Sequence, residues 1–172
     1  MWFRSSPLAA GLAALASLLL LAGCGSTTEA VPIARESIAE ALRARLETTG
    51  LDVTRLTASK SDFFDSGVRR ATLRIGGPQG SLVNLYCFRD AGQAADAAAG
   101  VSRDGMQVPT GGGVASVEWV GPPHFFRHGG LIAIFCEADG APPSSSRDRR
   151  ILTALQSVMG RQFAGSRVGG QR

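Results

Sequence analysis

The chain begins with an apolar segment that limits how much of it can belong to a folded domain. Residues 8–21 are apolar apart from Gly11 and Ser17, and one positive charge, Arg4, precedes them. The run is shorter than the ~20 residues that a membrane-spanning helix needs. A charged head, a short apolar core and small residues at its end are typical of a secretory signal. The prediction is that residues 1–23 are removed, which leaves the length of one ordinary domain.

The last residues of this segment indicate which kind of secretory signal it is. They read Leu21, Ala22, Gly23 and Cys24, an ending that resembles the lipobox of bacterial lipoprotein signal peptides at every position. The resemblance covers residues 1–24 only. It implies cleavage before Cys24, a diacylglyceryl thioether on its sulfur and usually a further acyl chain, such as palmitate, on the new amino group. Two or more chains anchor a protein stably, because each buried CH₂ contributes ~0.8 kcal/mol.

The resemblance also implies a compartment. The expected location is the bacterial cell envelope, lipid-anchored on the periplasmic side of the outer or inner membrane. Gly25, rather than an Asp, follows the lipidated position, which by analogy with Gram-negative sorting favours the outer membrane. The alternatives are an uncleaved signal anchor, or ordinary secretion with Cys24 as an incidental thiol.

Charge argues against a nucleic-acid partner. The chain has a formal net charge of +4, which falls to +3 once Arg4 is removed with the signal. These charges are spread along the sequence rather than gathered into a basic patch, so they do not predict binding to nucleic acid. The predicted partners are the membrane, through the lipid, and an envelope protein.

Two cysteines remain in the mature chain, Cys87 and Cys136. Outside the cytoplasm, two thiols in one small domain usually pair, which predicts a disulfide between them. Closing that loop would stabilise the fold by ~4 kcal/mol on the chain-entropy argument. The alternative is two buried thiols without a bond. A redox-active pair is not expected, since the sequence has no Cys-x-x-Cys.

Hydrophobic periodicity predicts an α+β fold, in which an antiparallel sheet carries its helices on one face. Helices are expected from Pro32 to Gly50, from a capping box at Asp90 and Gln93 to Ala99, and over residues 147–159. Strands are expected over residues 51–58, 68–75, 82–88, 114–120, 123–127 and 131–137, with a loop over 106–113. The predicted organisation is a tether (24–31), a single domain (32–163) and a disordered tail (164–172).

The two halves of this domain look alike. The strands that end in Tyr86-Cys87 and in Phe135-Cys136 both follow a glycine-containing turn, and both lead through an Asp towards a helix. The pattern suggests two α-β-β-β repeats followed by a C-terminal helix. If the last strands of the repeats are neighbours at the centre of the sheet, the cysteines could meet.

One cluster contains both histidines, in the run from Pro122 to His128. On a helix, His124 and His128 could chelate zinc. The prolines, phenylalanines and following glycines instead favour a strand, on which residues four apart lie ~13 Å from each other. Zinc needs ligand atoms ~2.0–2.1 Å away, so a metal site would require a turn in the chain and a further ligand such as Glu137 or Asp139. No metal and no cofactor is therefore predicted.

The candidate contact surface has two parts. The first is the hairpin just described, with His124, Phe125, Phe126, Arg127 and His128 expected at the surface. The second is a strand on which Arg70 and Arg74 alternate with apolar residues, so that the arginines are expected on the solvent face of a one-sided sheet. These residues share aromatic or cationic side chains at positions expected to be exposed, which suit contact with a protein partner.

Familiar catalytic signatures do not occur in the sequence. It has no Gly-x-Ser-x-Gly, His-Glu-x-x-His, phosphate-binding Gly-x-x-x-x-Gly-Lys or dinucleotide-binding Gly-x-Gly-x-x-Gly pattern. The favoured function is a binding or accessory module of the envelope, with no catalytic residues assigned. The alternatives are a small-ligand or metal carrier that uses His124, His128 and a neighbouring carboxylate, and an enzyme whose site carries no known pattern.

Overall fold

The structure, a computed structural model, describes residues 30–65, 67–137 and 145–166, without the side chains of 30–35 and 57. From Val31 onwards the described chain forms one compact unit. Its helices are α1 (Ala30–Thr48), α2 (Ala91–Ala99) and α3 (Ser146–Met159). Within the described ranges, no helix is both long enough and apolar enough to cross a membrane.

The α+β class with an antiparallel sheet is confirmed. The described residues contain eight strands: β1 (Val53–Lys60), β2 (Arg69–Ile75), β3 (Ser81–Cys87), β4 (Gln107–Thr110), β5 (Gly113–Ser116), β6 (Pro123–His128), β7 (Leu131–Cys136) and β8 (Gln162–Gly165). Six of them make one antiparallel sheet in the order β1-β2-β3-β7-β6-β8, and β4 pairs with β5 in a separate hairpin. The region expected to be a loop thus contains β4, and the strand expected over 114–120 is the shorter β5.

Layers cover both faces of the large sheet, which corrects the expectation of helices on one face. On the first face, α1 and α3 pack Leu42, Leu46, Ile151 and Leu155 against the sheet. On the second face lie α2, the β4-β5 hairpin and the segment that carries Phe64. Strand β7 is therefore buried on both sides, and it is apolar along its length for that reason.

Capping residues place two of the helix starts. Asp90 accepts a hydrogen bond from the Gln93 N–H at 2.8 Å, and Gln93 accepts one in return from the Arg89 N–H at 3.2 Å. The bond from Gln93 holds the pKa of Asp90 below its ordinary value. Ser145 caps α3 by accepting from the Asp148 N–H at 3.1 Å. The helix start predicted at Asp90 is confirmed.

The register of β3 against β7 argues against the predicted duplication. The pairs Val83↔Phe135 and Cys87↔Leu131 face the α1/α3 side, whereas Cys136 packs with the cluster on the second side. The two Tyr/Phe-Cys segments therefore differ by one residue in phase, and a shift of one residue reverses every side chain. The sequence likeness does not correspond to a structural two-fold relation.

The ordered domain extends further than predicted at both ends. Helix α1 starts at Ala30, inside the predicted tether. Strand β8 pairs with β6 and buries Ala164. The tail predicted to start at residue 164 therefore starts within a strand. Outside the described ranges lie residues 24–29, which include Cys24, residues 138–144, which include Asp139, and residues 167–172.

Candidate functional site

A groove runs alongside α1 over the first face of the sheet. Its volume is about 210 Å³. Its floor comes from β2 and β3, one wall from α1 and the other from β1. The lining residues are Glu36, Ala39, Glu40, Arg43, Arg55, Ala71, Leu73, Leu85 and Cys87. The floor is apolar and the rim is charged, which is the usual composition of a ligand site, although the volume is below the ~300 Å³ at which such sites typically begin.

Two alanines explain why the space is there. Leu42 and Leu46 hold α1 on the core. The neighbouring face of α1 lies towards β1 and β2. On successive turns it carries Glu36, Ala39, Glu40 and Arg43. Ala39 on the helix and Ala71 on the sheet both line this space, and their short side chains leave a gap that larger ones would fill.

The rim carries both signs of charge in loose pairs. The Arg55 guanidinium lies 3.7 Å from a Glu40 oxygen and 4.0 Å from a Glu36 oxygen. Arg43 lies 3.6 Å from Glu40 and donates a 2.9 Å hydrogen bond to Glu47, which raises the pKa of Arg43 above its ordinary value. These side chains are 43–70% exposed. Exposed pairs of this kind contribute ~0–1 kcal/mol each, so the rim groups can exchange partners at low cost.

Cys87 lies on the groove floor, far from Cys136, and the predicted disulfide between them is absent. Cys87 is paired with Leu131 in the ladder, whereas Cys136 ends β7 and faces the opposite side of the sheet. The offset along the strand is about 17 Å at ~3.3–3.4 Å per residue. A disulfide joins Cα atoms roughly 4.4–6.8 Å apart, so forming this one would require the central ladder to separate.

The aromatic hairpin predicted as a contact surface is mostly core, and that prediction is wrong for three of its residues. His124, Phe125 and Phe126 are at most 1% exposed. Phe126 packs on the α1/α3 side and Phe125 on the other, against Trp119 and Phe163. Only Arg127 and His128, at the end of β6, are exposed. Three consecutive bulky residues can all be buried here because both faces of the sheet are covered.

His124 is held in a buried hydrogen-bond network. Its Nε2 lies 2.9 Å from Glu137 Oε1 and its Nδ1 lies 3.2 Å from Gln162 Oε1, while the ring stacks on Phe135. The Gln162 amide nitrogen donates to the carbonyls of Ala164 and Ser166, which turns the amide oxygen towards the imidazole. The network joins β6, β7 and β8 and gives this buried ring a partner on each nitrogen.

The structure does not bring the two histidines together. β6 is extended from His124 to His128, as the sequence predicted, so the rings are far apart along the strand. Across the described part of the chain, no group of three or more His, Cys, Asp or Glu side chains is placed to hold a metal ion.

The arginines of the predicted contact surface do not form one patch with the hairpin. Arg70 is half-buried, paired with Asp62 and within 3.2 Å of the Ser59 hydroxyl, and Arg74 is also half-buried. Arg70 and Arg127 lie in the same row of the sheet, three strands or roughly 14 Å apart. Buried Tyr86 and Ile132 occupy the positions between them. The covering layer therefore separates the two parts.

Apart from Cys87, which was predicted to form a disulfide, the groove residues were not singled out from the sequence. Ala39 and Ala71 carry no local signal, and only the packing of α1 over the sheet places both in one groove. Comparison with known proteins adds no assignment: no family model, no curated protein and no solved structure matches this chain.

Proposed function

We propose that this chain is a lipid-anchored lipoprotein of the bacterial cell envelope, and that its domain is a binding or accessory module whose binding site is the groove beside α1. The observation that carries the proposal is the groove itself, with an apolar floor and charged groups confined to the rim. Such a surface offers burial to an apolar group and orientation to a polar one, which is how small binding sites obtain affinity and specificity.

The anchor part of the proposal is supported by the lipobox-like ending at Cys24. Only residues 25–29 separate Cys24 from α1. At ~3.5 Å per residue, this length of chain limits the distance from the lipid-bearing sulfur to the start of α1 to about 20 Å. Since α1 forms one wall of the groove, the proposed anchor would keep the binding site close to the membrane surface.

Metabolic labelling tests the anchor. The full chain, expressed in a bacterium supplied with an alkynyl palmitate, should carry the label and should float with membranes in a density gradient. A Cys24→Ser variant should lose the label, because the thioether has no sulfur on which to form. A Cys136→Ser variant is the matched control and should retain it. Labelling that survives Cys24→Ser, or an unlabelled wild-type chain, contradicts the anchor.

A further inference from the structure

We propose that the groove takes part of one acyl chain of a zwitterionic phospholipid that carries a primary ammonium, of the phosphatidylethanolamine class, with the head group held at the rim. This inference rests on the proposed function, since it names the ligand of the same groove. It follows from three features of the site: the shape of the floor, the charges of the rim and the distance to the anchor.

The floor suits an aliphatic chain. Ala71, Leu73 and Leu85 present only hydrocarbon, and Cys87 adds a sulfur, which is a weak hydrogen-bonding group. A polar ligand placed there would lose hydrogen bonds to water without replacing them, at a cost of ~1–3 kcal/mol for each group. The volume of about 210 Å³ is too small for a whole lipid, so one segment of a chain enters while the remainder stays in the bilayer.

The rim matches a head group that carries both charges. Arg43 and Arg55 can each donate to a phosphate, and the carboxylates of Glu36 and Glu40 can accept from an ammonium. Two positive and two negative groups give the lined rim no net charge, so a purely anionic head group would meet the carboxylates unfavourably. The existing Arg55 contacts, at 3.7 and 4.0 Å, are long and exposed, and a ligand can displace them at little cost.

Photo-crosslinking tests the occupant directly. The native full chain is incubated with a phosphatidylethanolamine that carries a diazirine on its acyl chain, either in vesicles or as a short-chain analogue added to the purified protein. After irradiation, the modified peptides are mapped. The expected result is modification within β2 and β3, at the groove floor, and weaker modification by the matching phosphatidylglycerol probe.

Filling the groove supplies the matched variants. Ala71→Leu should lower floor labelling about tenfold, equivalent to ~1.4 kcal/mol, because the new side chain takes the place of the ligand. Ala39→Leu, on the α1 wall, should lower floor labelling in the same way. Ala99→Leu adds the same volume at an exposed position of α2 and should leave labelling unchanged. Melting temperatures of the groove variants should equal or exceed that of the wild type, since each fills existing space.

The outcomes separate this inference from the anchor. Labelling confined to residues outside α1, β1, β2 and β3, labelling unchanged by both groove variants, or equal labelling by phosphatidylglycerol overturns the phospholipid assignment. If the chain carries palmitate yet the short-chain analogue does not reach the floor, the anchor stands and the occupant is wrong. If the analogue labels the floor while Cys24 is unmodified, the occupant stands and the anchor is wrong.

Discussion

Cys136 shows how burial alone gives one side chain a measurable role in stability. The thiol lies on the second face of the sheet, and burial raises its pKa from 9.0 to about 11. The folded protein therefore keeps this proton at a pH where the unfolded chain has lost it. The stabilisation is fully present below pH 9 and is lost as the pH rises from about 9 to about 11, by on the order of 2 kcal/mol.

Urea unfolding at pH 7, 9 and 10 measures this effect. The wild-type free energy of unfolding should fall more steeply above pH 8.5 than that of Cys136→Ala, which has no thiol to titrate there. Burial also raises the pKa of Tyr86, to about 12; that burial effect is common to both proteins, and only the smaller repulsion from an ionised Cys136 differs between them. Parallel pH profiles for the two proteins would mean that Cys136 is hydrated enough to ionise normally.

At the scale of the element, α3 depends on a cap that also satisfies a buried carboxylate. Ser145 accepts from the Asp148 N–H and donates to Asp148 Oδ2 at 2.8 Å, and Asp148 is only 1% exposed. Ser145→Ala removes both bonds and should lower the free energy of unfolding by about 1–2 kcal/mol. Ser157→Ala, at an exposed position inside the same helix, is the control and should change it by less than ~0.5 kcal/mol. Equal effects of the two variants would show that the cap is not special.

Elements with a strong local signal were predictable, and those shaped by packing were not. The Asp90 cap and the alternation along β2 specify structure through neighbouring residues, so both were placed within about two residues. The aromatic residues of β6 were assigned to the surface because their burial depends on a second covering layer. That layer includes β4, β5 and the segment around Phe64, which come from stretches with weak periodicity. The unbroken run of bulky residues in β6 is itself the pattern of a strand that is buried on both faces.

The candidate site was predictable to a smaller extent. Arg127 and His128 are exposed as expected, but the residues now proposed to bind a ligand were not singled out. A groove is defined by what is missing between two elements, here the side-chain volume that Ala39 and Ala71 lack. No hydrophobic periodicity or motif in either segment predicts that Ala39 and Ala71 will line the same groove.

At the scale of the whole molecule, the last strand of the described chain covers the edge of β6 and adds to the core on the second face of the sheet. In β8, Ala164 is buried opposite Phe125, Phe163 packs on Phe125 with ring centroids 6.0 Å apart, and Gln162 orients His124. Removing this strand would expose the edge of β6 and leave the Nδ1 of a buried imidazole without its partner. The segment is therefore part of the fold although it follows the last helix.

Two truncations test this closure. A chain ending at Gly160 loses β8 and should be destabilised by about 3 kcal/mol or more, since burying one large apolar side chain contributes ~1.5–3 kcal/mol and the ladder bonds to β6 are lost as well. A chain ending at Ser166 keeps every described contact of β8 and should melt within a degree or two of the full chain. If both truncations melt alike, the sheet is equally stable without β8, and the hydrogen bond that the Gln162 amide oxygen accepts from His124 does not contribute to stability.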